Sequence, residues 1–269
     1  MTSKLQMYFP MIRSRKEVLD DIYGNERLAE IFDSWEERYQ EEFLDFCTGV
    51  RGVKMLYDFC AKALLDPEIH PERLDESSLL LMDIVVQLED GSIANVEIQK
   101  IGYAFPGERS ACYSADLLLR QYKMVRRKMT KDTFSYKHIK SVYTIVLFEK
   151  SSREFHVFPD NYIHKFQQIS NTGMKLELLQ KFIFIPLDIY LKNHHNKGIE
   201  TRLDAWLTFL GSDSPEDVIA LIEKYPDFKP MYKQVYEICQ NIEKVMGMFS
   251  KELYEMDRNT VRYITGSEK

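Results

Sequence analysis

Asp83 and Glu97 flank a tight turn in LLMDIVVQLEDGSIANVEIQK, residues 80–100. Each carboxylate sits in an otherwise apolar strand, where a charge is costly unless something pairs with it. Two acids that meet on one face of a hairpin can hold a divalent metal, and Gln99 stands two residues beyond Glu97. Magnesium suits such a set, because it takes one or two protein carboxylates and keeps other positions for water and phosphate oxygens. Such a metal lowers the pKa of a bound water and offsets charge at phosphorus.

Whether the acids meet depends on the turn. A two-residue Asp90-Gly91 loop pairs Glu89 with Ser92 and sends Glu97 to the face opposite Asp83. A three-residue loop, Glu89-Asp90-Gly91 with Gly91 left-handed in a bulge, pairs Leu88 with Ser92 and sets Asp83 against Glu97. This second register gathers Met82, Ile84, Val86, Ala94, Val96 and Ile98 on one face. Asp83, Val85, Gln87, Asn95, Glu97 and Gln99 then share the other. Register follows the apolar pattern, so the three-residue loop is expected.

The elements around the hairpin read as follows. Ser14 and Glu17 form a capping box ahead of Val18 and Ile22. Helices are expected over about 28–47 and 53–65, and DPEIHPERLDESS reads as a polar loop. After the GYAFPG turn, Glu108 to about Met129 has helical spacing. Its apolar stripe is Ala111, Ala115, Leu118, Tyr122, Val125 and Met129, and its polar stripe is Arg109, Tyr113, Asp116, Arg120, Lys123 and Arg127. Strands are expected at 141–149, 154–159 and 182–189. Helices return from about Glu200, with Ser214-Pro215-Glu216-Asp217 a helix start. The expected division is 1–78, a helical region packed on the core; 79–192, the core; and 193–269, a helical subdomain.

Composition narrows the class. With 269 residues, 45% hydrophobic and 29% charged, the chain suits a soluble globular protein. No run approaches a membrane span, and four dispersed cysteines suit a cytoplasmic, reduced protein. The net charge is −6, yet 99–140 carries ten Lys and Arg against three Asp and Glu, a local +7 that leaves −13 elsewhere. Phosphate binding needs only such a local basic surface, and Arg120, Lys123, Arg126, Arg127 and Lys128 are its candidate contacts with a DNA backbone. His194-His195 reads as a solvated pair, His138, His156 and His164 as structural, and most aromatics as core. No GxSxG, glycine-rich phosphate loop or HExxH is present.

Asp83, the turn, Glu97-Ile98-Gln99 and Arg109-Ser-Ala-Cys-Tyr113 together resemble the PD-(D/E)XK nuclease superfamily, and within it the bacterial PD-(D/E)XK nuclease family transposases, the recombination-promoting nuclease group. The resemblance is specific over roughly 80–165. It implies an α/β fold with α+β character: a restriction-endonuclease-like mixed sheet flanked by helices, with helical N- and C-terminal regions. Asp83 and Glu97 would be magnesium ligands, with manganese an expected substitute, and the backbone carbonyl of Ile98 a further one. Arg109 and Tyr113 would support the site from the helix behind it. The implied reaction is metal-dependent hydrolysis of a DNA phosphodiester in a mobile-element or recombination process. Met82 stands where the superfamily has proline. Gln99 stands at the lysine position, as in much of this subgroup; it can orient a water but brings no charge. Lys100, on the opposite face, does not replace it.

Three readings follow. The first is a magnesium-dependent endonuclease with Asp83, Glu97 and Gln99 as its catalytic set. The alternative is an inactive member that binds DNA or protein. The third, a carboxylate-pair enzyme such as a glycosidase, fits the basic segment poorly. Glu41, Glu42 and Glu76 stay open as a third acid. The oligomeric state is open too, a homodimer being compatible with the sequence.

Overall fold

The computed structural model describes residues 4–49, 84–101, 106–130, 133–194, 197–212 and 214–247. The chain divides into two compact units, Met1–Cys60 with Ile199–Lys269, and Ala61–Gly198. Asp83, Glu76, Cys60, His195, the expected helix over 53–65 and the loop over 66–78 lie outside the described residues.

The first unit is helical and joins the two ends of the chain. Its N-terminal helices are α1 (Lys4–Tyr8), α2 (Arg15–Tyr23), α3 (Glu26–Asp33) and α4 (Glu37–Cys47). The expected capping box is present: Glu17 N–H donates to Ser14 Oγ, and Ser14 N–H donates to Glu17 Oε2 at 2.8 Å. The stretch expected as one helix over 28–47 is two. The chain breaks at 34–36, where Gln40 Nε2 donates to the carbonyls of Phe32 and Trp35. Three C-terminal helices follow, α8 (Arg202–Gly211), α9 (Pro215–Lys224) and α10 (Lys229–Ile238). Ser214 caps α9 as expected. Val18, Ile22, Phe43 and Phe46 share one buried cluster with Val235, Cys239 and Met246, while Leu5 and Phe9 pack with Phe209, Phe228 and Tyr232. Glu41, one of the acids open for a third site position, is exposed and paired with Arg15.

The second unit is a mixed sheet. Its elements are β1 (Ile84–Gln87), β2 (Ile93–Ile101), α5 (Pro106–Lys128), β3 (Val142–Lys150), α6 (Arg153–His156), β4 (His164–Phe166), β5 (Gln180–Pro186) and α7 (Leu187–His194). The strand order is β1-β2-β3-β5-β4. β1 pairs antiparallel with β2, β3 lies parallel to β2 and β5, and β4 closes the far edge antiparallel to β5. The parallel β2–β3 pair needs a crossover, and α5 supplies it. This is the mixed sheet flanked by helices that the family resemblance implied.

Two strand expectations need correction. Residues 154–159 do not form a strand; Ser152, in extended conformation, starts the helical turn α6, and Glu154 sits in its first turn. The apparent alternation there comes from side chains of a short helix followed by Pro159. The strand expected at 182–189 begins earlier and stops at Pro186, whereupon Asp188 in the first turn opens α7. β4 was not expected: three residues are too few for a period of two to stand out.

Alternation sorts the sheet into faces. Asn95, Glu97 and Gln99 align with Thr144, Val146 and Phe148 of β3, and these with Phe182, Phe184 and Pro186 of β5. Leu117 of α5 packs on Ile93 and Val142 at one end of this face. Phe155 of α6 and Ile189 of α7 pack on Val146, Phe148 and Phe184 at the other. Burying each such side chain contributes about 1.5–3 kcal/mol. The face that carries the polar residues of β2 is therefore deeply covered.

Candidate active site

The hairpin has the three-residue loop. Leu88 N–H donates to Ser92 O at 2.8 Å, and Gly91 N–H to Leu88 O at 2.9 Å. Gly91 has φ +84°, which glycine adopts without the strain an L side chain incurs. Asp90 binds the Ser92 N–H and hydroxyl at 2.8 and 2.9 Å, and these bonds hold its carboxyl below the usual aspartate range. The register runs Gln87↔Ile93, Val86↔Ala94, Val85↔Asn95 and Ile84↔Val96. Asp83 itself lies outside the described residues.

Glu97 is buried, 4% exposed, and its carboxylate is held from two sides. Gln99 Nε2 donates to Oε1 at 2.9 Å, and Arg109 Nη2 approaches the same oxygen at 2.9 Å. Two donors on one buried oxygen offset much of the desolvation cost of the charge. The Arg109 guanidinium also lies 5.2 Å from the centre of the Tyr113 ring, one turn along α5. Glu97, Gln99, Arg109 and Tyr113 thus form one contiguous group. β1 pairs beside the strand that carries Glu97 and Gln99, and its Val85 and Gln87 are exposed.

The helix reaches this group by a different face from the one its pattern suggested. The buried stripe of α5 is Ser110, Tyr113, Ser114, Leu117 and Gln121, whereas Ala111 and Ala115 are exposed and Leu118, Tyr122 and Val125 only half-buried. Hydrogen bonds explain the rotation. Gln180 Nε2 donates to Ser114 Oγ at 3.1 Å, and Gln121 Oε1 accepts from the Lys140 N–H at 2.8 Å. With Arg109 on Glu97, three polar ties fix the helix on a sheet face that is itself polar.

The same face holds groups with unmet demand. Asn95 and Thr144, register neighbours on β2 and β3, are fully buried, and the Asn95 carboxamide and Thr144 hydroxyl have no hydrogen-bond partner. Gln99 Oε1 is in the same condition. Buried orphans of this kind cost about 1–3 kcal/mol each unless water or a ligand meets them. Pattern reading missed Asn95 and Thr144 as site neighbours; the signal available was Asn95 sharing a face with Glu97.

The remaining candidates are placed as follows. Arg120 forms an i,i+4 ion pair with Asp116 at 2.7 Å, and Arg126 sits 4.8 Å over the Phe134 ring. Lys123, Arg127 and Lys128 are exposed on the last turns of α5. His194 is not solvated: it is half-buried and stacked on Tyr190 at 4.2 Å. His156, Ser151 and Asp188 do meet, but not as a nucleophile triad. His156 Nε2 contacts both Ser151 Oγ and Asp188 Oδ2 at 3.2 Å, and Ser151 Oγ itself donates to that carboxylate. A general base needs opposite ring nitrogens for the two partners. Among the described residues no three His, Cys, Asp or Glu cluster as a metal site, and no helix is long and apolar enough to cross a membrane.

A family model described as PD-(D/E)XK nuclease family transposase matches residues 61–263. No curated protein and no solved structure matches the chain.

Proposed function

The chain belongs to the PD-(D/E)XK nuclease family transposases, and from that premise we propose that it is a metal-dependent DNA endonuclease acting through the β1–β2 hairpin. The observation that carries the reading is the buried Glu97 carboxylate, gripped by Gln99 and Arg109 on the second strand of the hairpin. The sequence pattern of the hairpin sets Asp83 against Glu97, and we take both acids to serve one site.

The donors suit a hard divalent cation. The Glu97 carboxylate and the unpartnered Gln99 Oε1 are oxygen donors in a covered setting, and no sulfur or imidazole competes among the residues grouped there. Asp83, Glu97 and the Ile98 carbonyl would hold magnesium or manganese. When bound, such an ion makes water acidic and offsets charge at phosphorus.

The chain's own residues do the rest. Gln99 accepts a hydrogen bond from the attacking water and orients it, while its amide keeps Glu97 in place. Glutamine brings no positive charge, and in this reading Arg109 brings it from α5, holding Glu97 in the resting state and a phosphate oxygen during attack. Tyr113 stacks beneath the guanidinium and limits its rotamers. Lys123, Arg127 and Lys128 hold the strand backbone further along the helix.

The test is nicking of supercoiled plasmid. The intact chain should nick with magnesium or manganese and stop in chelator, and Asp83→Ala and Glu97→Ala should each abolish nicking with the fold intact by circular dichroism. Undiminished nicking in either variant refutes the assignment. The second reading, a binding module without turnover, is favoured by Gln99 at the lysine position and by Arg109 seated on Glu97. It predicts DNA retention with no cleavage at any concentration of either metal.

A further inference from the structure

Beyond the end of α5 the basic surface changes character. Residues 121–140 contain seven Lys and Arg and one Asp. Amid this charge stand three aromatics, Tyr122 and Phe134 half-buried and Tyr136 exposed. Tyr122 and Tyr136 lie parallel, 10° between planes with centroids 6.2 Å apart. Phe134 meets both edge-on, at 5.8 and 5.3 Å. Arg126 covers the Phe134 ring at 4.8 Å. Tyr136 is nonetheless 73% exposed.

An exposed tyrosine is commonly mobile, but this one is built in. It begins the 3₁₀ turn Tyr136–His138, which Ser135 caps: the Lys137 N–H donates to Ser135 Oγ, and the Ser135 N–H donates to His138 Nδ1 at 3.1 Å. The Ile139 N–H closes the turn on Tyr136 O, and the Lys140 N–H is tied to Gln121 of α5. The ring is thus presented with little rotameric freedom to lose, and Lys137, Lys140 and Arg127 are exposed.

We propose that Tyr136 is a stacking platform for an unpaired base, and that the preferred nucleic acid is single-stranded or locally unstacked. This rests on the nucleic-acid reading of the hairpin site and names its substrate class. Neither feature suffices alone. Basic side chains without the ring would hold any duplex, whereas a ring among cations fits a base whose own phosphates the cations neutralise. An intact duplex offers no free base face to such a ring; a protein partner would have no use for the density of positive charge unless it were acidic. From Arg109, which contacts Glu97, to Tyr122 the helix rises roughly 20 Å. A strand stacked on this aromatic group therefore spans several nucleotides before it reaches the hairpin.

The test is fluorescence anisotropy with a labelled 12-nucleotide oligothymidylate and a labelled 12-base-pair duplex, in chelator so that neither is cut. Tyr136→Ala should weaken the single strand roughly 5- to 150-fold, the range of one lost base stack, and the duplex less than about twofold. Tyr136→Phe should restore single-strand binding. The salt dependence should keep its slope in both variants, since no phosphate contact is lost. Equal loss on both nucleic acids, no loss on either, or no binding of the single strand by the intact chain overturns the proposal. So does preferential retention of an acidic peptide of equal charge. The two readings fail separately. The stacking signature without metal-dependent nicking leaves the platform and removes the nuclease. Nicking that depends on Glu97 but not on Tyr136 does the reverse.

Discussion

The ion pair between Arg109 and Glu97 gives a measurable account of how α5 is fixed on the sheet. Glu97 has 5% of its side chain exposed and Arg109 39%, with 2.9 Å between Nη2 and Oε1. Breaking a fully buried pair by removing one partner costs about 3–5 kcal/mol, and a hydrogen bond to a charged group contributes about 1.5–3 kcal/mol. Water can reach the arginine side of this pair, and Gln99 keeps one bond to the carboxylate. Arg109→Met should therefore destabilise the sheet unit by about 2 kcal/mol, below the fully buried range. Glu97→Gln should cost less, because its amide oxygen still accepts from Gln99. The double variant should recover about 1 kcal/mol or more relative to the sum, since it leaves no buried charge behind. Tryptophan fluorescence is the wrong assay: Trp35 and Trp206 both belong to the helical unit. Hydrogen exchange at the β2 amides reports the right region, and 2 kcal/mol appears as exchange about 30-fold faster. Additivity of the two single variants within about 0.5 kcal/mol would refute the coupling, as would unchanged exchange in Arg109→Met.

Other outcomes follow from the hairpin and the helix end. Gly91→Ala should weaken the hairpin by about 1–2 kcal/mol from the left-handed backbone alone, because the nearest atom to the added Cβ, Lys140 Cγ at 3.5 Å, leaves room for it; exchange at the β1 and β2 amides measures this, and an unchanged rate rejects it. Asp90 has its carboxyl lowered by its bonds to Ser92, so its contribution is present above the ordinary aspartate range and lost as pH falls through the depressed folded value. Hairpin protection should decline through that acidic window in the intact chain and not in Asp90→Asn, which keeps the turn's acceptor. Replacing Lys123, Arg127 and Lys128 together by Gln should lower DNA affinity and reduce the slope of log affinity against log salt by about 0.7–0.9 per lost phosphate contact. An unchanged slope would remove these residues from the interface.

Much of the fold was legible wherever a local signal had one meaning. The three-residue turn followed from the alternation of β1 and β2, because the two-residue loop puts Ile84 and Val86 of β1 on the face of Asn95 and Glu97. The caps at Ser14 and Ser214 were equally plain, being fixed by a side chain three residues from its partner. The orientation of α5 was not legible. Its alanine and leucine stripe looked like the buried one, yet the sheet face beneath it carries Asn95, Glu97 and Thr144 and selects Ser114 and Gln121 instead. That choice depends on a surface assembled from three strands, which no helical period records. Phe155 misled for a related reason, since a four-residue helix shows too little of its period to be told from a strand. The exposure of Tyr136 was likewise unreadable from composition, because ring content says nothing about which rings the core uses.

The central claim is that Glu97 and its hairpin partner hold the metal that drives strand cleavage. Crystals soaked in manganese test it most directly, through anomalous scattering. The account predicts one peak within about 2.5 Å of oxygens from Glu97, Asp83 and the Ile98 carbonyl, with Arg109 displaced from Glu97. A protein that nicks DNA while its manganese lies elsewhere, with Arg109 still seated on Glu97, would contradict it.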